Sequence, residues 1–277
     1  MFISKESENV SDLFLSNNIE KDLDKGQHFL IDSEIIEKEV ALAKISKKDK
    51  IIEIGAGEGN LTTKLAQKAG KVLAFEIDKR YAEKLGDLKE KQNNLEIIYD
   101  NAFNYSWKGY AKIVSNIPYF ISEQLIKKSI ADEIPEIVLI VGENFKKILE
   151  ENKSKMGIIS NLFYNINFTL EVDKKCFSPP PKNNSWLIRL ESKKKLSFEE
   201  SLLASILKKN GKIKNALLYS LVERGKTKRE SRKIIEDMGF SKQVLEKPIS
   251  RITGRFLIRL AKNLEKLTFT IKRKPFK

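Results

Sequence analysis

Residues 50–59 read K-I-I-E-I-G-A-G-E-G, an apolar run of strand length that ends in closely spaced glycines. Residues 60–69 follow with Leu61, Leu65 and Ala69 at helical spacing. A strand that turns through glycines into a helix lets its backbone approach a ligand closely, because glycine takes positive φ without steric cost. Working outward, Lys71–Asp78, Leu95–Ala102, Ala111–Asn116 and Glu136–Val141 read as further apolar strands. Lys79–Lys91, Ser122–Ile130 and Asn144–Asn152 read as helices between them. Short apolar strands alternating with helices imply βαβ crossovers and a mainly parallel sheet. Asn161–Val172 and Trp186–Glu191 then predict two strands with no helix between them. Their connector, Phe177–Lys182, holds three prolines and is too stiff for a helix, so an antiparallel pair closes the sheet. Beyond the cluster Lys193–Lys195 the pattern is helical over Phe198–Lys209, Lys214–Arg224, Lys228–Met238 and Ile252–Leu267.

The 277 residues are 41% hydrophobic and 32% charged, enough to bury a core and cover it with charge. No apolar run approaches the roughly 18 residues of a membrane span. The first residues have neither the apolar block of a signal peptide nor the Arg-rich, acid-poor character of a transit peptide. A single cysteine, Cys176, excludes a disulfide framework, and a single histidine, His28, excludes a multi-histidine metal cluster. Cys176 reads as a loop or core thiol rather than a nucleophile. The expectation is a cytoplasmic, metal-free monomer whose chemistry comes from a bound cofactor. Charge is unevenly placed. The net charge is +14, and residues 196–277 hold 21 basic and 8 acidic side chains, leaving 31 and 30 in the rest. A near-neutral body with a basic appendage suits a catalytic domain joined to a polyanion-binding module.

Two constellations carry chemistry. The glycines of residues 53–59 (E-I-G-A-G-E-G) miss the dinucleotide pattern G-x-G-x-x-G by one position, and no P-loop lysine follows. Glu76, at the end of the second strand, stands where a carboxylate accepts both hydroxyls of a ribose, and is expected to face solvent. Glu53 and Glu58 would repel a pyrophosphate but tolerate a sulfonium cation. This combination resembles the S-adenosylmethionine-dependent methyltransferase fold. The second constellation, Asn116-Ile117-Pro118-Tyr119, follows the fourth strand, where an open α/β sheet places its ligands. The exocyclic amine of adenine is a poor nucleophile because its lone pair is delocalised into the ring. The Asn116 side-chain oxygen and the Ile117 carbonyl could hold its hydrogens out of conjugation. Pro118 stiffens the loop, and Tyr119 offers a face for an extruded base.

On these motifs the chain resembles the ribosomal RNA adenine N6,N6-dimethyltransferases of the KsgA type, and more distantly the Erm macrolide-resistance methyltransferases. The resemblance runs from about Lys25 to Leu267. Gly26-Gln27-His28-Phe29-Leu30 is similar to the family's G-Q-N-F-L, and Phe75–Asp78 to its acidic strand end. Asn116–Tyr119 is similar to N-[LI]-P-Y, and Phe177–Lys182 with Ser185 to the proline-rich loop bordering the acceptor pocket. The resemblance implies a Rossmann-like methyltransferase domain over residues 25–195, a basic helical RNA-binding domain over 196–277, and an extension over 1–24 without counterpart. It implies S-adenosyl-L-methionine held by Gln27, His28, Leu30, Gly55, Gly57, Glu76, Asn116 and either Asp100 or Asn101. Small-subunit ribosomal RNA would be the partner, met by Lys182, Lys208, Lys209, Lys212 and Lys214, with Arg224, Lys226, Lys228 and Arg229 forming a second cluster.

Some positions depart from the pattern. His28 replaces an asparagine, so its cofactor contact would come from an imidazole nitrogen or the backbone. Asp100-Asn101-Ala102 leaves open which residue reads the cofactor's adenine amine. Gly142-Glu143-Asn144 replaces Q-K-E, and Gly211–Lys214 replaces paired arginines. Two other readings stand beside the first: an Erm-like enzyme acting on the large subunit, favoured by Leu139–Phe145, and a ribosome-assembly or transcription factor that retains the fold without methylating.

Overall fold

The computed structural model describes residues 28–272. By spatial grouping they form two compact units. One takes residues up to Lys147 together with Tyr164–Ser192; the other takes Ile148–Phe163 and the chain from Lys193 onward.

The centre of the first unit is built on strands with no solvated face. β2 (Lys50–Ile54) and β3 (Lys71–Phe75) are buried at all but their first residues, and β5 (Lys112–Ser115) and β6 (Glu136–Gly142) are buried throughout. Such runs suit parallel strands covered on both faces. With β4 (Leu95–Ile98), β7 (Tyr164–Val172) and β9 (Ser185–Ser192) they form, among the described residues, a seven-stranded sheet in the order β4-β3-β2-β5-β6-β9-β7. The first five run parallel, and β9 lies antiparallel to both β6 and β7. β7 alternates half-buried and exposed positions between buried ends, as an edge strand with one solvated face should. The helices of this unit are α1 (Ser33–Leu42), α2 (Asn60–Lys68), α3 (Ala82–Lys91) and α4 (Ser122–Ala131). Two short strands, β1 (Phe29–Leu30) and β8 (Phe177–Ser178), pair antiparallel and tie the segment before α1 to the proline-rich loop.

The strand order reverses direction between β2 and β5, and there the carboxyl ends of adjacent strands diverge to leave a crevice. The Ile54 N–H donates to Ser115 Oγ at 2.8 Å, locking the two ends side by side.

Several expectations shift at element ends. β3 stops at Phe75 and β4 at Ile98, so Glu76 and Asp100–Asn101 stand in the loops beyond the strands. α1 has no counterpart among the expected elements. Residues 161–163 end a helix, α6 (Lys155–Phe163), rather than begin a strand. The division between units falls within α5 (Glu143–Glu151).

The second unit packs α6 against α7 (Phe198–Leu207) and α11 (Gly254–Lys272), α7 against α8 (Ile213–Val222), and α8 against α9 (Lys228–Asp237) and α10 (Lys242–Leu245). Burial of Met156, Ile159 and Leu162 among these helices groups residues 148–163 with this unit, although they precede β7 in the chain. Ser197 with Glu200 and Thr227 with Glu230 form capping boxes that start α7 and α9. No helix among the described residues is long and apolar enough to cross a membrane.

Candidate active site at the sheet's switch point

A cavity of about 330 Å³ opens beyond β2 and β5. Its floor is the glycine turn. Gly57 takes φ +51° and Gly59 φ +84°, and a Cβ on Gly59 would stand 3.1 Å from Leu88. Glycine takes both conformations without the strain another residue would carry, and at Gly59 the nearness of Leu88 adds a steric reason. Four carboxyl residues, Glu53, Glu58, Glu76 and Asp100, line the cavity with aromatic Phe29, Tyr81, Phe103 and Phe120; none of the described lining residues is Lys or Arg. Such a lining suits a ligand with cationic and hydroxyl groups and disfavours a phosphate.

Glu76 corrects an expectation. It is buried at 6% exposure, and its carboxylate accepts from the Gly57 N–H at 2.7 Å and the Asp78 N–H at 2.8 Å. One carboxylate thus braces the glycine turn while keeping lone pairs for a ribose. Glu76→Ala is therefore expected to do two things. It should weaken cofactor binding by roughly 1.5–3 kcal/mol, and it should lower the melting temperature, because two loop donors lose their partner. Calorimetry and a thermal melt check both, and unchanged affinity would remove Glu76 from the ribose.

Asp100 and Asn101 both line the cavity, and each is engaged locally. Asp100 accepts from the Asn101 N–H at 2.7 Å and from the Tyr105 hydroxyl at 2.9 Å, while the Asn101 oxygen accepts from the Phe103 N–H at 3.0 Å. His28 also lines it, with Nδ1 bonded to the Pro179 carbonyl at 2.7 Å, so the imidazole holds the proline-rich loop and leaves Nε2 for other contacts. Leu30 is a buried wall residue. Gln27 lies outside the described residues.

Asn116 stands at the end of β5 and borders the cavity. Its Nδ2 donates to Glu39 Oε2 at 2.9 Å, whereas its Oδ1 is buried with no partner among the described residues. Glu39 and Glu53 are fully buried. Burial pushes Glu39 up to about 8 and Glu53 well above the carboxylate range, the latter also by the nearby charges of Glu39 and Glu76. Burial therefore disfavours the negative charge expected at Glu53.

Pro118 borders the cavity, whereas Ile117 is not among its lining residues and its side chain is buried in the core. Tyr119 stands beside the cavity rather than in its wall, its hydroxyl 2.5 Å from Ser185 Oγ and its ring 6.0 Å from that of His28. Gly142, one of the departures from the family pattern, makes room for it: a Cβ there would lie 2.9 Å from the ring. Phe120 does border the cavity and is 49% exposed. Its only sequence signal is a second aromatic after Tyr119. Tyr119→Phe should keep the ring face but lose the anchor to Ser185, lowering the rate a few-fold. Tyr119→Ala should lose roughly 1–3 kcal/mol of base stacking, on the order of tenfold or more. If the two variants were equally inactive in single-turnover assays, the hydroxyl rather than the ring would be the working group.

Cys176 donates to Asp32 Oδ2 at 3.4 Å, and burial together with that carboxylate pushes its thiol up, the reverse of nucleophile activation. Among the described residues no group of three His, Cys, Asp or Glu is placed to hold a metal.

The expected RNA-binding lysines are divided. Lys182 is exposed and borders a second groove beside Trp186. Lys209 is paired with Glu223, and Lys212 and Lys214 share Glu246, whose carboxyl they hold down at about 2. Lys208 lies 5.9 Å from the centre of the Phe163 ring. In the second cluster Arg224 is structural, donating to the Ser201 and Ser220 carbonyls. α9 differs. Lys228, Arg229, Arg232 and Lys233 are exposed along one side of it, shared with Glu236, and have no ion-pair partner among the described residues.

A mainly parallel sheet closed by an antiparallel pair, a glycine turn braced by a strand-end carboxylate, and an amide acceptor at the switch point together define a Rossmann-like methyltransferase. The chain belongs to the ribosomal RNA adenine dimethylase family, whose model matches residues 18–251. It is 31% identical over 245 residues to a probable ribosomal RNA small subunit methyltransferase A of Methanococcus maripaludis, covering 82% of this chain and 93% of that protein. It is 32% identical over 194 residues to the protein of the same description from Pyrococcus abyssi, covering 68% and 72%. A solved dimethyladenosine transferase from Plasmodium falciparum superposes with a TM-score of 0.61 at 26% identity, covering 86% of this chain and 98% of that one. The 23S rRNA methyltransferase ErmE superposes at 0.59 with 21% identity, over 86% and 99%, which shows a shared fold.

Proposed function

We propose that the protein transfers methyl groups from S-adenosyl-L-methionine to the N6 amine of adenines in small-subunit ribosomal RNA, dimethylating adjacent adenines during ribosome assembly as a cytoplasmic monomer. One observation carries the reading. Asn116 offers a buried oxygen with no partner among the described residues at the switch point, an arrangement a pure binding protein does not need and an amine-activating enzyme does. The relatives described as small-subunit methyltransferases favour that target over the large subunit.

The cavity fits the cofactor: its carboxyl and aromatic lining, without Lys or Arg among the described residues, suits a sulfonium and a ribose. Glu76 would hold the ribose hydroxyls, and Gly55 and Gly57 would let the backbone lie along the ligand. Asp100 or Asn101 would accept from the adenine amine, with Gln27, His28 and Leu30 closing over it. When bound, the cofactor supplies an electrophilic methyl group. Asn116 Oδ1 and the Ile117 carbonyl would hold the two amine hydrogens of the target, directing its lone pair out of the ring as the nitrogen rehybridises. Tyr119 and Phe120 would provide faces for the extruded base.

The test is incubation with labelled S-adenosylmethionine and unmethylated small or large subunits, followed by mapping of modified adenines. Label on small-subunit adenines is expected. Label confined to the large subunit would establish the Erm-like reading, and no label on either would establish the binding-only one.

A further inference from the structure

Glu39 occupies a place where an apolar side chain would be expected. On α1 the residues turned to the core are Ile35, Ile36, Glu39 and Val40, so a carboxyl stands within an apolar stripe at 0% exposure. A buried carboxyl costs free energy unless it makes compensating hydrogen bonds. Its one hydrogen bond among the described residues is from Asn116 Nδ2, at 2.9 Å, and its other oxygen is unpartnered.

That single bond has a chemical consequence. A primary amide has two unlike ends: its oxygen can accept the hydrogens of an incoming amine, whereas its NH₂ group would meet them donor to donor. Half a turn about the terminal torsion exchanges the ends at little cost in shape. Something must therefore hold the NH₂ end away from the ligand. An acceptor on the core side does so, because it engages Nδ2 and leaves Oδ1 as the free end. Burial pushes Glu39 up to about 8, and the carbonyl oxygen of the neutral acid accepts as the carboxylate would.

We infer that Glu39 is a positioning residue that fixes the amide of Asn116 with its oxygen available to the target amine. The inference rests on the reading of Asn116 as the amine acceptor. Glu39 is not among the residues that line the cavity, and its hydrogen bond there is to Asn116, through which it acts.

Three variants of the full chain test it in single-turnover methylation of unmethylated small subunits, with cofactor affinity measured by calorimetry on each. Glu39→Gln keeps an acceptor of the same reach and should retain kcat within about threefold. Glu39→Leu restores the apolar stripe, removes the acceptor, and should lower kcat tenfold or more while leaving cofactor affinity and KM for the subunit near wild type. Glu39→Asp keeps the carboxyl but shortens its reach, and should fall between them; it decides against Gln if the Leu variant does not fold. A kcat within twofold of wild type in the Asp and Leu variants, or a Gln variant as slow as either, would overturn the inference alone. A wild-type protein that methylates no adenine would overturn the functional reading and this inference together.

Discussion

Asn116→Ala is expected to reduce methyl transfer by about 10²–10³-fold, the scale seen when one preorganised polar group facing a transition state is removed. The effect should appear in kcat rather than in affinity for the subunit, because the amide is asked to hold the amine most strongly as its nitrogen becomes tetrahedral. Cofactor affinity should change less than the rate. Loss of the amide also strips Glu39 of its one hydrogen bond among the described residues, so a modest fall in melting temperature should accompany the loss of rate. Single-turnover assays at saturating subunit and cofactor separate these effects. A variant within tenfold of wild type would mean that the Ile117 carbonyl suffices, and the activation model would fail.

The second large effect concerns RNA. Replacing Lys228, Arg229, Arg232 and Lys233 of α9 together with glutamine should weaken binding to ribosomal RNA steeply. Every cation–phosphate pairing removed should also flatten the slope of log affinity against log salt by roughly 0.7–0.9, so the full set should reduce it by on the order of 3. The same substitution at Lys209, Lys212 and Lys214 should change the slope less, since Glu223 and Glu246 already offset those charges. The contrast is the informative measurement. Equal changes in both variants would mean that the pairs open on RNA binding, and no change in either would move the docking surface elsewhere. Removal of everything after residue 195 would be a poorer probe, because α6 would be stripped of the helices it packs against.

The succession of strands along the chain could be read because most are short apolar runs bounded by polar or glycine residues, as strands covered on both faces are; their order in the sheet could not. Glycine spacing between β2 and α2 located the cavity for the same reason, since positive φ at Gly57 and Gly59 leaves its mark on composition. α1 and α6 were harder to read. α1 carries a glutamate in its buried stripe, and α6 is so apolar that its last residues, Asn161–Phe163, pass for the start of the strand that follows.

What the sequence alone determined, then, was the family of fold, many of the residues that line the cavity and the asymmetry of charge, all of which depend on local patterns. The tertiary structure decided what each polar group is paired with. It placed Glu76 under the glycine turn 19 residues away, set Glu39 against Asn116 77 residues away, and gave Lys209, Lys212 and Lys214 to glutamates while leaving the α9 cations exposed. Hydrogen bonds and ion pairs act over about 3 Å in space and carry no period along the chain. Their partners become known only when the fold has brought distant residues together.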